Sequence, residues 1–292
     1  MSEAICHGAV TIVNAMANYL GAALSIDLHA TAHARAKEGS GMILARVLDD
    51  SCRDTSLIKA SARVVLERYG LDERKDLYVG VSSEIPVARG LKSSSAVANA
   101  VVLACCSALG RRASVEELLK MGVKASFRAG VTLTGAFDDA CASLLGGATI
   151  TDNKRLLLLK RFKQSARLRA VILVPHSQSL SGKVNAEKVR PLGEVLSLAH
   201  SLALKEKLWL AMTVNGLACS DIFGHGGEAA LAALKAGALG AGLSGKGPSV
   251  AAIVWEKGVG QVLEALGAFR GRLMVVKVNN ERARIRAKAR RD

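Results

Sequence analysis

Between residues 77 and 109 the chain passes from a strand-like pattern to a helical one through the string IPVARGLKSSSAVANA, and this junction constrains the fold more than any other stretch. Leu77, Val79 and Val81 alternate as a half-buried strand, whereas Ala96 to Leu109 reads as an apolar helix. A chain with this junction must lay helices against a sheet. The same two periods recur elsewhere in mixed order. Ala9 to Leu28 reads as two short strands around a small-residue turn at Asn18 to Gly21. Helices are expected at about 55–69, 115–128, 187–204, 206–220, 227–239 and 259–268. Thr55 or Ser56 caps the first of these and Gly70 stops it, while Ser114 and Glu117 form a capping box for the second. Further strands are expected at Thr149–Thr151, Leu156–Leu159, Ala170–Val174, Val250–Trp255 and Leu273–Val278. This order gives α+β layers, not a purely parallel doubly wound sheet. The 292 residues suit two domains, with a boundary near 160–180.

Composition narrows the partner classes. Half the residues are hydrophobic, so a core can form and disorder is excluded for the bulk. The net charge of +15 points to anionic partners, but only ten residues are aromatic, a poor stacking platform for single-stranded nucleic acid. Much of the charge sits in two segments: residues 154–169 hold seven Lys or Arg and no acid, and residues 281–292 hold six against two acids. These read as solvated faces and a frayed tail. Six cysteines without a CxxC spacing indicate neither a disulfide framework nor a structural zinc site, and fit a reducing, cytoplasmic setting. No signal peptide and no membrane span are expected. His29 and His33 lie four apart but lack the setting of a metal motif.

Three loops carry the chemistry. In Ile85 to Ala100 a helix start offers unpaired amides and a partial positive charge; Gly90 lets the backbone approach an anion, Ser93, Ser94 and Ser95 supply hydroxyls, and Lys92 adds a cation. Phosphate is the expected ligand. In Ala241 to Val254, the residues Gly240 to Lys246 spell GxxxxGK, nearly a Walker A loop, but Gly247 follows where Ser or Thr is required. The segment reads as a turn between an Ala-rich helix and a strand beginning after Pro248, with Gly242, Gly245 and Gly247 allowing close packing against a loop or a phosphate. The third loop, Thr132 to Gly147, places Asp138 beside Asp139. Adjacent side chains point apart on any regular element, so the two carboxylates suit separate jobs, one addressing a substrate hydroxyl and the other capping a helix or binding substrate; taken alone, the pair reads equally well as helix caps.

At these loops together the sequence resembles the GHMP kinase superfamily of galactokinase, homoserine kinase, mevalonate kinase and phosphomevalonate kinase. Pro86, Gly90, Leu91, Ser93, Ser94 and Ala96 reproduce its second motif without a gap, and Gly242, Ser244, Gly245, Gly247 and Pro248 its glycine-rich third motif. Asp139, Ser143 and Gly146 reproduce the spacing that follows the family's catalytic Asp, which makes Asp139 the catalytic choice with Asp138 second. The strings GAVTIVNAMANYLGAALSIDL, GLKSSSAVANA and GVTLTGAFDDACASLLGG are most similar to the archaeal shikimate kinase family. The resemblance implies a two-domain α+β fold: a domain like the second domain of ribosomal protein S5 over 1–165, and a ferredoxin-like domain over 166–292.

What the resemblance implies for the site is specific. ATP would lie along Pro86, Val87, Ala88, Arg89, Gly90, Leu91, Lys92, Ser93, Ser94, Ser95 and Ala96, closed by Gly245 and Gly247, with Mg2+ at Ser94 and Lys92 screening the γ-phosphate. Shikimate is the implied acceptor; Asn14, Asp27, Thr134 and Asp138 suit its hydroxyls, and the partner of its carboxylate is left open among Arg89, Arg128 and Lys183. Mevalonate kinase relatives carry an early Lys and a Glu eleven residues before the Asp. This chain has its first Lys at Lys37 and has Arg128 in the second place, leaving Glu116 and Glu117 as the remaining acidic candidates for magnesium. The rival readings are another small-molecule GHMP kinase, acting on homoserine, mevalonate or a sugar, and a basic RNA-binding protein. Neither nucleic acid nor membrane is the expected partner, and the oligomeric state is left open.

Overall fold

The computed structural model describes residues 1–49, 53–176 and 189–287. Two sheets organise them. The first has seven strands: β1 (Ser2–Val13), β2 (Leu20–Glu38), β3 (Ile43–Val47), β4 (Lys75–Ser83), β5 (Ala148–Asp152), β6 (Leu157–Phe162) and β11 (Arg284–Ala287). Its main path runs β11-β1-β2-β4-β3, with β5 pairing β2 and β6 pairing β5; only β3 and β4 run parallel. The second sheet is antiparallel, in the order β10 (Arg272–Lys277), β7 (Leu168–Val174), β9 (Val250–Trp255), β8 (Gly240–Leu243).

Helices α1 (Ser56–Arg68), α2 (Ser93–Ala108), α3 (Val115–Arg128) and α4 (Phe137–Leu145) build the first core with the sheet, through Val65, Val101, Leu119 and Leu144 against Leu77 and Val79. A second cluster joins the halves: Val10, Ile12 and Leu24 of β1 and β2 pack with Ile172 of β7, Ile253 of β9 and Met212 of α6 (Leu208–Phe223). A third cluster packs the second sheet with α6, α7 (Gly227–Lys235) and α8 (Val259–Gly267), while α5 (Gly193–Leu204) leans on α6 and β2. No helix among the described residues is long and apolar enough to cross a membrane.

The expected elements around the junction appear with small shifts at their ends, but several expectations need correction. The two short N-terminal strands are one long antiparallel pair, β1 and β2, joined by a turn at 15–18. Their Ala and Gly content depresses intrinsic strand preference. Tertiary packing overrides it: α2 and α4 from one half and α6 from the other all lie against β1, whose residues are almost all buried. The glycine-rich turn is entered from strand β8, not from a helix, because the Ala-rich helix ends at Lys235. Strands β3 and β11 went unanticipated: β3 is a short edge strand, and β11 lies in the basic tail, where Arg284 pairs with Ile5 across the sheet. Residues 187–188 of one expected helix lie outside the described residues; the described helix begins at Gly193 after a 3-10 turn.

Candidate active site

Helix α2 starts without a cap. Lys92 occupies the N-cap position in the left-handed region (φ 65°) and makes no side-chain capping hydrogen bond, no acid lies in the first turn, and Ser93, Ser94 and Ser95 are the first three helical residues. Their amides are the ones an α-helix cannot pair internally, so this end presents donors and the positive end of the helix dipole. It faces an open cleft that is also lined by Asp138, Asp139 and residues 245–247.

The backbone that holds this helix start is clasped to the glycine-rich turn. Ser244 Oγ donates to the Gly90 carbonyl (2.8 Å) and accepts from the Thr11 amide (3.1 Å), while the Ser249 amide donates to the Arg89 carbonyl (3.3 Å). Gly90 (φ +81°) is required at this crossing, because a Cβ there would lie 2.0 Å from the Ser244 carbonyl oxygen. The Gly245 amide donates to Thr11 Oγ1 (2.8 Å), and Asn14 Nδ2 donates to the Gly245 carbonyl (3.0 Å). Asn215 of α6 in turn accepts from the Asn14 amide (2.8 Å).

The two adjacent carboxylates separate cleanly. Asp139 Oδ1 lies 3.0 Å from Lys92 Nζ with both side chains 12% exposed, an ion pair in which no donor is aligned for a full hydrogen bond to that oxygen. Burial pushes the Asp139 carboxyl up to about 7; Lys92 opposes the rise and the Asp138 charge adds to it. Asp138 is instead claimed by the scaffold. Asn153 Nδ2 donates to its Oδ1 (2.7 Å), and Asn153 Oδ1 accepts from the Asp138 amide (3.1 Å) and from Thr151 Oγ1 (2.7 Å). Gly21 makes room for it, since a Cβ at that position would lie 2.7 Å from the Asp138 carboxyl carbon. At the far end of α4, Arg161 donates to the carbonyls of Leu145 and Gly146, satisfying the helix terminus.

Of the residues singled out by sequence, Pro86, residues 88–95, Asn14, Thr134, Asp138, Asp139, Gly245 and Gly247 line the cleft. Val87, Ala96 and Asp27 do not. Ala96 is fully buried in α2, and its amide continues the helix from the Lys92 carbonyl. Asp27 sits where β2 bulges against His7 and Gly8, and its carboxylate lies 3.9 Å from His7 Nε2. Asn14 is committed at both ends of its amide, its Oδ1 accepting from the Met16 amide (2.9 Å).

Three further candidates are corrected. Glu117 closes the Ser114 capping box and pairs with Arg68, and Glu116 pairs with Lys120, so neither carboxylate reaches the cleft. Arg128 makes two bonds to Glu67 (2.7 and 3.0 Å), because its helix carries it away from Asp139. Lys183 lies outside the described residues, whereas Arg89 lines the cleft and donates to the His176 carbonyl (3.2 Å). His29 and His33 pair separately with Glu84 and Glu3, and no group of three metal-ligating side chains stands together among the described residues. Thr11, Asn153, Asn215 and Lys246 are the site residues that sequence reading missed. Only Lys246 carried a signal, standing between two motif glycines.

Comparison with known proteins places the chain among relatives of known kind. The sequence pattern of the GHMP kinases N terminal domain matches residues 56–147, from α1 through α4. The chain is 40% identical over 283 residues to a shikimate kinase of Methanosarcina acetivorans, covering 96% of this chain and 95% of the relative. It is 42% identical over 254 residues to one of Thermococcus kodakarensis, covering 87% and 92%. Among solved structures it is similar to mevalonate kinase of Methanococcus jannaschii (TM-score 0.74, 16% identity, 94% of this chain and 98% of that one). Homoserine kinase of Cytophaga hutchinsonii gives a TM-score of 0.73 at 20% identity, covering 97% of each chain.

Proposed function

The chain belongs to the GHMP kinase family and, within it, to the archaeal shikimate kinases, and from that membership we propose that it transfers the ATP γ-phosphoryl group to the 3-hydroxyl of shikimate, giving shikimate 3-phosphate and ADP. The observation that carries phosphoryl transfer is the meeting of an uncapped α2 start with the Lys92–Asp139 pair in one cleft. The relatives supply the acceptor's identity. Shikimate kinase activity places the reaction in aromatic amino-acid biosynthesis.

Phosphoryl transfer asks the protein for alignment and charge neutralisation, with little covalent help. The amides of Ser93 to Ser95 hold phosphate oxygens at the positive end of α2. Lys92, resting against Gly245 and paired to Asp139, faces the γ-phosphoryl group with its ammonium. Asp139 accepts the hydrogen bond of the acceptor hydroxyl, orients its oxygen, and takes its proton as the new P–O bond forms; a carboxyl poised near neutral pH suits that task. Thr134 meets an acceptor hydroxyl and Arg89 its carboxylate, both from the cleft wall. The Ser94 hydroxyl, on the cleft wall with no cap to make, suits a magnesium ion that takes one or two protein ligands and completes its shell with phosphate and water. That ion would neutralise charge developing between the β- and γ-phosphates.

The test is a substrate panel on the purified enzyme with MgATP. ADP should form when shikimate is added, at a kcat/KM at least ~100-fold above that for mevalonate or homoserine, a margin of about 3 kcal/mol in transition-state binding. Equal or faster turnover of either rival would overturn the assignment.

A further inference from the structure

The near-match to a Walker A string at 240–246 places a lysine in a loop that the fold rules out as a P-loop: strand β8 leads into the turn and strand β9 leaves it, with no helix to follow. Lys246 nonetheless lines the same cleft as Lys92 and the α2 start. The turn around it is short of free donors. The Gly245 amide is used by Thr11 Oγ1, the Gly247 amide by the Ser244 carbonyl (2.9 Å), and the Ser244 amide by the Ser249 carbonyl (2.9 Å). A glycine-rich turn that bound phosphate through its backbone would leave these amides open. Within residues 244–247 the donors left over are both on Lys246, its amide and its ammonium.

Lys246 is built for the task. Gly245 (φ +63°) and Gly247 (φ +78°) flank it, and His225 Nε2 contacts its carbonyl oxygen at 3.2 Å, so its backbone is pinned from both sides. A Cβ on Gly245 would lie 3.2 Å from Lys92 Nζ, which puts the second ammonium beside the residue preceding Lys246. Lys92 has Asp139 as its counter-ion, and Asp138 is bonded to Asn153; Lys246 makes no ion pair among the described residues. Burial and the neighbouring Lys92 charge both disfavour its charged form. An arriving polyanion relieves that repulsion. The clasp between Ser244 and Gly90 holds the turn against the loop before α2, so an anion on the Ser93 to Ser95 amides would share the cleft with this lysine.

We propose that Lys246 is a second cationic ligand for the terminal phosphates of the bound nucleotide, acting beside Lys92 and the α2 amides. The assignment rests on reading the cleft as a kinase site. It is tested with Lys246→Met and Lys246→Arg in the full-length enzyme, by calorimetric titration with ATP, ADP and AMP and by steady-state kinetics. Lys246→Met should weaken ATP about tenfold, ADP less and AMP not at all, raise the KM for ATP in the same proportion, and leave the KM for shikimate unchanged. Lys246→Arg should recover most of the loss, and unchanged thermal melting would confirm that both variants fold. Unchanged ATP affinity would overturn the inference. So would a loss confined to shikimate, which would make the lysine the partner of the substrate carboxylate. The titrations need no acceptor, so they stand or fall separately from the substrate panel.

Discussion

Helices α2 and α3 both begin at serine, and they end up as opposites. Ser114 occupies the N-cap of α3: its Oγ accepts from the Glu117 amide (3.2 Å), and Glu117 returns a bond to the Ser114 amide (2.9 Å), so the helix end is closed by its own side chains. In α2 the serines fall one to three residues later, inside the first turn, and the N-cap position belongs to Lys92. A hydroxyl at these positions cannot reach back to the first amides as an N-cap does. One helix start is closed by its own side chains; the other has no side-chain cap. Serine at a helix start therefore says little until its place relative to the cap is known.

The same contrast runs through the carboxylates. Asp138 is satisfied by Asn153, a partner fifteen residues away, whereas Asp139 keeps an oxygen without an aligned donor, against the cleft and a lysine. The group left incompletely satisfied is the one available for chemistry.

The sharpest way to break this comparison is Asp139→Asn. It should lower kcat by about 10²–10⁴-fold, the range for loss of a general base, while ATP affinity changes by less than about threefold. A near-normal kcat would remove Asp139 from the reaction. Because the folded carboxyl is raised from 3.8 to about 7, wild-type kcat/KM should fall as pH drops below about 7, where the group protonates. The sign for stability is the reverse. A folded pKa above the unfolded one gives stability that is complete below about pH 3.8 and lost as pH rises through about 7. Asp139→Asn should accordingly melt higher relative to wild type at pH 8 than at pH 5; a difference independent of pH would contradict the buried, raised carboxyl.

A smaller effect is expected at the scaffolded partner. Asn153→Ala leaves Asp138 without its donor and should cost about 1–3 kcal/mol in chemical denaturation, with kcat lowered less than in Asp139→Asn. If it matched Asp139→Asn in kcat without losing stability, the division of labour between the carboxylates would be wrong. The smallest effect belongs to the closed helix start: Ser114→Ala should cost about 1 kcal/mol and leave both KM values unchanged. A changed KM would show that α3 communicates with the cleft.

Much of the site was legible because its parts are local. The strand-to-helix junction and the Ser114 capping box rest on residues within a few positions of one another, where spacing fixes geometry, whereas the choice of Asp139 over Asp138 came from the family resemblance. The rest came from distant parts of the chain. Thr11 meets Gly245 and Ser244 across more than 230 residues, Asn215 holds Asn14 across 201, and Arg161 caps α4 from β6. Asp27 reads as a polar strand residue near the motifs, but the bulge in β2 carries it to His7 and not to the cleft. Strand β8 was hidden because four residues, two of them glycine, have almost no intrinsic strand signal.

The sequence by itself determined the order of layers, the serine-rich helix start and the family, since each depends on residue type at short, fixed spacing. Only the tertiary structure decided which of two adjacent aspartates is bonded into the scaffold and which motif glycines have their amides taken. Those questions turn on which side chains arrive from other elements to satisfy a buried polar group, and chain separation carries no record of that.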